Sequence, residues 1–302
     1  MAGKTDIIRN IIKACKPMLN NMSLGAKRTG HDMLGYVKRP GADIKIHADE
    51  DCPIKSEWFT PLGAPQDKCL MYIHGGSYET GSLASSRALL CNISESCRYN
   101  IFSIDYRLSP EYPFPCGLND CQLAWLYLLS KGYLSQNIIL IGDSAGGGMA
   151  LALTMKLRDE DKALPGAVIC LSPWTDLTGK GKSHITQADN EILIDSSVLY
   201  ESGLNYANGQ SLKHPYISPV FGDFSCFPPV LIQVGSHEVL LSDSINVYNA
   251  LHRDGANTDL RIFDTMWHVF QTFDVPESRQ AIYEISLWIK YIWEDKKLDK
   301  LY

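Results

Sequence analysis

The sequence lacks the features that would place it in a membrane, on a nucleic acid or in a disulfide scaffold. No apolar run approaches the roughly 18 residues that a membrane-spanning helix needs, and the N-terminus has no uninterrupted apolar stretch of the kind a signal peptide requires. Acidic residues outnumber basic ones, 34 to 28, for a net charge of −6. A nucleic-acid-binding chain usually carries a basic patch or stripe. We therefore expect neither a membrane nor a nucleic acid as partner.

Cysteines are present but are not arranged for cross-linking. There are nine, an odd number, and none forms a Cys-x-x-Cys pair. In a chain of 302 residues they are too dilute to form a disulfide framework, so we interpret them as mostly reduced thiols. This predicts a soluble, cytoplasmic protein.

Short apolar runs alternate with helical stretches from about residue 54 onward. The runs cover 69–74, 100–105, 137–142, 167–171, 230–234 and 260–263. The helical stretches cover 83–98, 116–130, 145–159, 242–254 and 276–297. Short apolar runs bounded by Gly and Pro are typical of strands that are buried on both faces, and their alternation with helices predicts an α/β fold around a parallel sheet.

Two regions depart from this alternation. The first 50 or so residues show no clear strand pattern; a helix is indicated over 6–16, which Pro17 should end or kink. Residues 176–222 form an insertion that is too long for a simple loop, with helical fragments around 189–207. We predict one domain over residues 1–302, with a cap contributed by about 1–50 and 176–222.

The strongest motif is Gly142-Asp143-Ser144-Ala145-Gly146. It follows an apolar strand and opens a helix, which is the setting of a nucleophile elbow. The alternative is a Gly-rich turn that holds phosphate, but this segment lacks the Walker lysine and the G-x-G-x-x-G spacing. We therefore expect Ser144 to be a nucleophile.

A serine nucleophile needs a base, and the base needs an orienting acid. His268 follows the last predicted strand, at the sheet edge where Ser144 should also lie. The acid should follow the strand 230–234, where Glu238 lies in the loop itself. Asp243 is the alternative acid, although it opens the next helix, where Asp is common because it complements the helix dipole.

A glycine-rich loop follows the first predicted strand of the parallel sheet, with the sequence His74-Gly-Gly-Ser-Tyr78. A loop in this position supplies backbone N–H groups to an oxyanion hole. We expect Gly75, Gly76 and Ser77 to act as donors together with the N–H of Ala145. His74 is expected to hold the loop by hydrogen bonds.

Three motifs together resemble the hormone-sensitive lipase family of α/β-hydrolases. They are the loop at 74–78, the segment Asp105-Tyr-Arg-Leu-Ser-Pro-Glu111 and the elbow at 142–147. The resemblance implies an α/β-hydrolase fold, with a mostly parallel central sheet flanked by helices and a helical cap. It also implies a small-molecule ester substrate with a short acyl chain.

The chain departs from the family pattern at two positions. Ser77 replaces the third glycine of the loop, and its side chain should favour small acyl groups. Glu238 stands where the family usually has Asp. Glutamate is longer by one methylene, so its loop must lie slightly further from His268.

The sequence thus predicts a serine carboxylesterase that acts through an acyl-enzyme intermediate, with no metal and no organic cofactor. An amidase or peptidase of the same fold would use the same triad and stays an alternative. A non-catalytic small-molecule receptor on this fold is a second alternative, although the presence of His268 counts against it. An edge strand near 258–263 could pair two subunits in a homodimer.

Overall fold

The computed structural model describes residues 3–20, 22–36 and 38–294. The helices are α1 (Lys4–Asn20), α2 (Leu24–Leu34), α3 (Leu83–Cys97), α4 (Cys116–Ser130), α5 (Ala145–Asp159), α6 (Ser183–Thr186), α7 (Ser196–Ala207), α8 (Leu241–Arg253) and α9 (Pro276–Glu294). The strands are β1 (Ile44–Ala48), β2 (Ser56–Pro61), β3 (Cys69–Ile73), β4 (Asn100–Ile104), β5 (Ile138–Asp143), β6 (Ala167–Leu171), β7 (Val230–Gly235) and β8 (Thr258–Phe263).

All eight of these strands form one sheet, in the order β1-β2-β4-β3-β5-β6-β7-β8. The six predicted apolar runs become β3 to β8, which pair in parallel along the sheet. Only β1 and β2 pair antiparallel with their neighbours. The predicted mostly parallel sheet is therefore confirmed.

Helices cover both faces of the sheet and bury its alternating side chains. On one face Met71 belongs to the same core as Trp125 of α4. On the other face the adjacent Leu70 packs in a core with Leu90 of α3 and Ile285 of α9. Burial on both faces explains why the strands are continuous apolar runs. It leaves the carboxyl ends of the parallel strands, at one edge of the sheet, free to carry a site.

The N-terminal region contains more structure than the sequence pattern indicated. The strand β1 lies where no clear strand was expected, and α1 continues past Pro17 instead of ending there. Proline removes one backbone hydrogen bond from a helix. Tertiary contacts compensate, since the Lys16 ammonium, next to Pro17, donates to the Glu191 carbonyl at 2.7 Å. Packing thus outweighs local propensity at this position.

The helix α1 lies against the loop that follows β8. The Arg9 guanidinium donates to the Thr265 carbonyl at 2.9 Å and lies over the Trp267 ring, 5.5 Å from its centroid. Thr5 Oγ1 donates to Glu277 Oε2 at 2.9 Å. The first helix of the chain therefore braces the loop that carries His268.

The insertion between β6 and β7 contains two α-helices, α6 and α7, and a short 3-10 helix at Pro219–Phe221. The longer one begins at Ser196, later than the fragment expected from residue 189, because Asp195 caps it by accepting the Ser197 N–H. The helix expected over 276–297 is α9, and residues 295–297 lie outside the described residues. Among the described residues no helix combines the length and the apolarity that crossing a bilayer requires.

Candidate active site

Ser144 occupies a sharp turn between β5 and α5, with φ 53° and ψ −122°. Residues other than glycine rarely adopt a positive φ. A Cβ added to Gly142 would lie 2.4 Å from the Gly146 carbonyl oxygen, and one added to Gly146 would lie 2.1 Å from the Ile73 carbonyl oxygen. Both flanking glycines are therefore required by close backbone approach, as a nucleophile elbow needs.

The structure brings together the three side chains that the sequence singled out. His268 Nε2 lies 2.9 Å from Ser144 Oγ, and His268 Nδ1 lies 2.9 Å from Glu238 Oε2. The three residues follow β5, β7 and β8, so the parallel sheet presents them at one edge. Glu238 is completely buried, and Ser144 and His268 are each 5% exposed. The three side chains are therefore largely shielded from water. Hydrogen bonds to charged groups are stronger in such a buried environment than in water.

The pKa of His268 reflects two opposing influences. Burial lowers the pKa, but the hydrogen bond and the charge of Glu238 outweigh it, with smaller contributions from the charges of Glu191 and Asp143. The net result is a raised pKa. The carboxylate also fixes the proton of the neutral ring on Nδ1, which directs the lone pair of Nε2 at Ser144.

Glu238 is held by a residue that the sequence analysis did not assign to the site. Its second oxygen, Oε1, accepts hydrogen bonds from Ser172 Oγ at 2.7 Å and from the Gly235 N–H at 2.5 Å. Ser172 Oγ also accepts the N–H of Val269 at 3.1 Å. Ser172 directly follows β6 at the same sheet edge, and that placement was the available signal. It links the acid to the residue next to His268.

Asp243, the alternative acid, lies elsewhere. Its Oδ2 accepts the N–H groups of Thr175 and Asp176 at 2.9 and 2.8 Å, and its Oδ1 faces His184 Nε2 at 3.6 Å. Asp243 is completely buried. The structure thus pairs Glu238, and not Asp243, with His268.

In the glycine-rich loop, one of the expected oxyanion donors, the N–H of Gly75, is already used in another hydrogen bond. The N–H of Gly75 donates to Asp143 Oδ1 at 2.9 Å, and the Tyr72 hydroxyl donates to the same oxygen. An N–H that already serves a carboxylate is not available to an oxyanion. Gly75 therefore leaves the predicted set of donors, because its N–H already donates to the carboxylate of Asp143, the residue before Ser144.

The other predicted donors keep their N–H groups available. Within residues 3–20, 22–36 and 38–294, no acceptor is found for the N–H of Gly76, Ser77 or Ala145. Ala145 is the first residue of α5, where the N–H has no partner inside the helix. Gly76 and Ser77 have φ values of 116° and 55°. Ser77, which stands where the family has its third glycine, thus lies in the left-handed region that favours glycine.

His74 holds this loop, as expected. Its Nδ1 lies 2.8 Å from the Gly75 carbonyl oxygen, and its ring stacks on that of Tyr106 with centroids 4.2 Å apart. Burial lowers the pKa of His74. A neutral ring that donates from Nδ1 fits a supporting role.

A further carboxyl group lies near the triad. Glu191 is 2% exposed; its Oε1 accepts the Leu193 N–H at 2.8 Å, and its Oε2 has no partner among the described residues. Burial and the charge of Glu238 raise the pKa of Glu191 to about 7, against the opposing effect of His268. No periodicity or motif in the sequence indicates a role for this residue.

No group of three or more His, Cys, Asp or Glu side chains in the described part of the chain is arranged to hold a metal ion.

A family model for the alpha/beta hydrolase fold matches residues 70–272, which span the loop, the elbow, the acid and the histidine. The chain belongs to the α/β-hydrolase family.

Individual relatives refine this assignment. An acetyl-hydrolase of Streptomyces hygroscopicus is 39% identical to this α/β-hydrolase over 230 residues, 75% of this chain and 76% of the relative. An esterase from the bacterial hormone-sensitive lipase family has a similar structure, with a TM-score of 0.90 and 31% identity, covering 96% of this chain and 99% of that one. EstE5, whose crystal was soaked with p-nitrophenyl butyrate, gives a TM-score of 0.91 at 33% identity, covering 97% and 99%.

The resemblance to the hormone-sensitive lipase family is therefore confirmed, and the α/β-hydrolase is a carboxylic ester hydrolase.

Proposed function

We propose that this α/β-hydrolase cleaves small esters of short acyl chains, with Ser144 as nucleophile, His268 as general base and Glu238 as orienting acid. The observation that carries the proposal is the unbroken path from Glu238 Oε2 through both ring nitrogens of His268 to Ser144 Oγ, with each step 2.9 Å. A serine hydroxyl is a weak nucleophile until an adjacent base removes its proton.

Acylation begins when Ser144 Oγ attacks the ester carbonyl and its proton passes to His268 Nε2. Glu238 stabilises the imidazolium that forms and keeps its own charge. The carbonyl oxygen becomes an oxyanion, which accepts hydrogen bonds from the N–H groups of Gly76, Ser77 and Ala145. One such donor is typically worth about 3–4 kcal/mol in the transition state.

Collapse of the tetrahedral intermediate expels the alcohol, which takes its proton from His268. A water molecule then gives a proton to His268 and attacks the acyl-enzyme, and collapse of the second intermediate returns the proton to Ser144 and releases the acid. Each step needs only proton transfer and acyl transfer, so no redox partner enters the scheme.

The short acyl chain is proposed from Ser77 and from the relatives. Ser77, itself a proposed oxyanion donor, carries a side chain at the position of the family's third glycine and has a φ of 55°. The acetyl-hydrolase relative and the butyrate ester soaked into EstE5 both involve short acyl groups. We infer the same range of substrates for this chain.

The domain organisation is proposed on the same basis. The helices α1 and α2 contact the loops that follow β8 and β3, through Arg9 with Thr265 and Arg28 with Glu79, and the insertion at 176–222 contacts α1 through Glu191 with Lys16. This supports one domain with a cap built from about 1–50 and 176–222. A homodimer formed through β8 and a cytoplasmic location stay predictions.

The test is hydrolysis of p-nitrophenyl esters from acetyl to hexanoyl by wild type and Ser144→Ala. We expect rapid turnover of the shorter esters, a burst of p-nitrophenol equal to the enzyme concentration if deacylation is slow, and a loss of at least about 10⁴-fold in kcat for the variant. Ser196→Ala is the matched control, because Ser196 Oγ also contacts a histidine ring, that of His184, at 2.9 Å.

Three outcomes would contradict the proposal. Absence of turnover by the wild type on all of these esters would support a receptor. Faster hydrolysis of the matching p-nitroanilides would support an amidase. Equal activity of wild type and Ser144→Ala, with both folded by circular dichroism, would exclude Ser144 as the nucleophile.

A further inference from the structure

Glu79 lies in the turn that fixes the oxyanion loop. The N–H groups of Glu79 and Thr80 both donate to the Gly76 carbonyl oxygen, at 3.0 and 2.8 Å, and Thr80 Oγ1 donates to it at 3.0 Å. The peptide that follows Gly76 carries the N–H of Ser77, one of the proposed donors. Hydrogen bonds within a turn of four residues therefore link Glu79 directly to the peptide that carries a proposed donor.

The carboxylate of Glu79 is held by the cap helix α7. Its Oε2 accepts the Ser202 hydroxyl at 2.6 Å, and its Oε1 accepts the Asn205 amide at 2.7 Å. Ser202 is 2% exposed. Hydrogen bonds to an ionised acceptor are shorter and stronger than neutral ones. Both carboxylate oxygens thus bind one face of one helix.

The backbone of Glu79 is held from the opposite segment of the cap. The Arg28 Nε of α2 donates to the Glu79 carbonyl oxygen at 2.8 Å, and the same guanidinium forms a bidentate pair with Glu111. Beside it, the Tyr78 ring stacks on that of Tyr206 in α7 with centroids 3.8 Å apart. The N-terminal segment and the insertion therefore meet at one residue of the oxyanion loop.

We propose that Glu79 is a positioning residue that couples the cap helix α7 to the geometry of the oxyanion donors, an inference that rests on the proposed function of Gly76 and Ser77. Oxyanion donors act at 2.7–3.1 Å, and a misplacement of about 1 Å can cost about 100-fold in rate. The cap thus helps to set transition-state stabilisation, in addition to enclosing the substrate.

The first experiment measures kcat and KM for p-nitrophenyl acetate and the inhibition constant of a short-chain trifluoromethyl ketone. This ketone forms a hemiketal with Ser144 whose oxyanion lies in the hole. For Glu79→Ala we expect kcat to fall about 10- to 100-fold, KM to change less than about threefold, and ketone affinity to fall by about the same factor as kcat. Glu201→Ala, an exposed residue of α7, should match wild type in all three measurements.

Two further variants separate hydrogen bonding from charge and from loss of the fold. The amide of Glu79→Gln can accept from Asn205 and donate to Ser202 Oγ, so we expect kcat within about threefold of wild type. Ser202→Ala, which leaves Glu79 in place, should lower kcat and ketone affinity together by a smaller factor. Thermal unfolding of each variant identifies any that fail to fold, and Ser202→Ala replaces Glu79→Ala if the latter is one of them.

Several results would overturn the inference. One is a Glu79→Ala variant with wild-type kcat; another is a kcat loss with unchanged ketone affinity. A third is a Glu79→Gln variant as impaired as Glu79→Ala, because the effect would then come from charge and not from geometry. These results are distinct from failure of the proposed function, which would appear as a wild type whose activity does not depend on Ser144.

Discussion

The candidate active site and the junction of α6, α7 and α8 both place a histidine between a carboxylate and a serine hydroxyl. At this junction, formed by α6, α7 and α8, His184 Nδ1 lies 2.9 Å from Ser196 Oγ, whereas its Nε2 lies 3.6 Å from Asp243 Oδ1. At the active site both corresponding distances are 2.9 Å. The same residue types therefore occur twice, but only one set forms a continuous path of hydrogen bonds.

The two arrays also differ in what surrounds them. Asp243 already accepts two backbone N–H groups, which leaves it committed to the loop at 175–176. Ser196 begins a regular helix, whereas Ser144 is held at φ 53° beside the free N–H of Ala145. The comparison shows that residue composition alone does not define a catalytic triad; backbone strain and nearby donors complete it.

The largest expected difference between the arrays comes from their acids. Glu238→Gln should lower kcat by about 10³- to 10⁴-fold, because an amide no longer stabilises the imidazolium or fixes the tautomer. Asp243→Asn should keep kcat within about fivefold and instead lower the melting temperature, since it disturbs a buried hydrogen-bonded group. Ester kinetics with thermal unfolding check both variants. The reverse pattern would mean that Asp243 is the catalytic acid.

A second difference is the extra support of the active-site acid by Ser172. We expect Ser172→Ala to lower kcat about 10- to 100-fold, because Glu238 and Val269 both lose a hydrogen bond that positions them. Ser183→Ala is the corresponding change at the junction, where Ser183 accepts the Ser242 N–H, and it should leave kcat near wild type. Equal effects of the two variants on kcat would show that Ser172 contributes only to general stability.

The negative charges near His268 should affect the pH dependence of kcat/KM, because they raise the pKa of this residue. The base must be neutral to act, and its pKa is raised above 6.5, so kcat/KM should fall about tenfold per pH unit below that raised pKa. The pKa of Glu191 is itself raised to about 7, so above that pH its carboxylate carries a negative charge that raises the pKa of His268. Glu191→Gln removes this charge and should move the part of the limb above about pH 7 to lower pH. Glu201→Gln, on the exposed side of α7, should not move it. An unmoved limb in Glu191→Gln would show that Glu191 does not act on His268.

The smallest expected effect concerns Ser77. Ser77→Gly removes a side chain from a position with φ 55°, where a residue other than glycine costs about 1 kcal/mol. We expect kcat/KM for p-nitrophenyl hexanoate to rise about two- to fivefold relative to the acetate, because the acyl site gains room. An unchanged ratio across the ester series would mean that Ser77 does not limit chain length.

Much of the fold and most of the candidate site could be predicted from the sequence, because the apolar runs, helical stretches and motifs occur in a definite order along the chain. The apolar runs placed β3 to β8 within one or two residues of where they lie. For β3 to β7 the reason is burial on both faces, which favours short apolar runs bounded by Gly and Pro. Parallel strands also place their following loops at one edge. This rule predicts from the sequence that Ser144, Glu238 and His268 lie close together.

What the sequence could not provide were contacts between distant segments. The removal of Gly75 from the donor set depends on the Asp143 carboxylate, 68 residues away, folding back on the loop. Where α1 passes Pro17, the adjacent Lys16 contacts Glu191, 175 residues away. Neither contact leaves a pattern in the residues next to it, so local propensity and motif spacing do not reveal them.

The brace that α1 applies to the loop around His268 also bears on how the enzyme is made. Arg9 contacts Thr265 across 256 positions of chain, and Thr5 contacts Glu277 across 272. A nascent chain therefore carries α1 without the residues that it contacts until residues 265–277 have emerged from the ribosome. Contacts of such long range are formed late, because closing a long loop is entropically unfavourable. A product truncated before α9 would retain Ser144, Glu238 and His268 but would lose the contact between Thr5 and Glu277 that supports this arrangement.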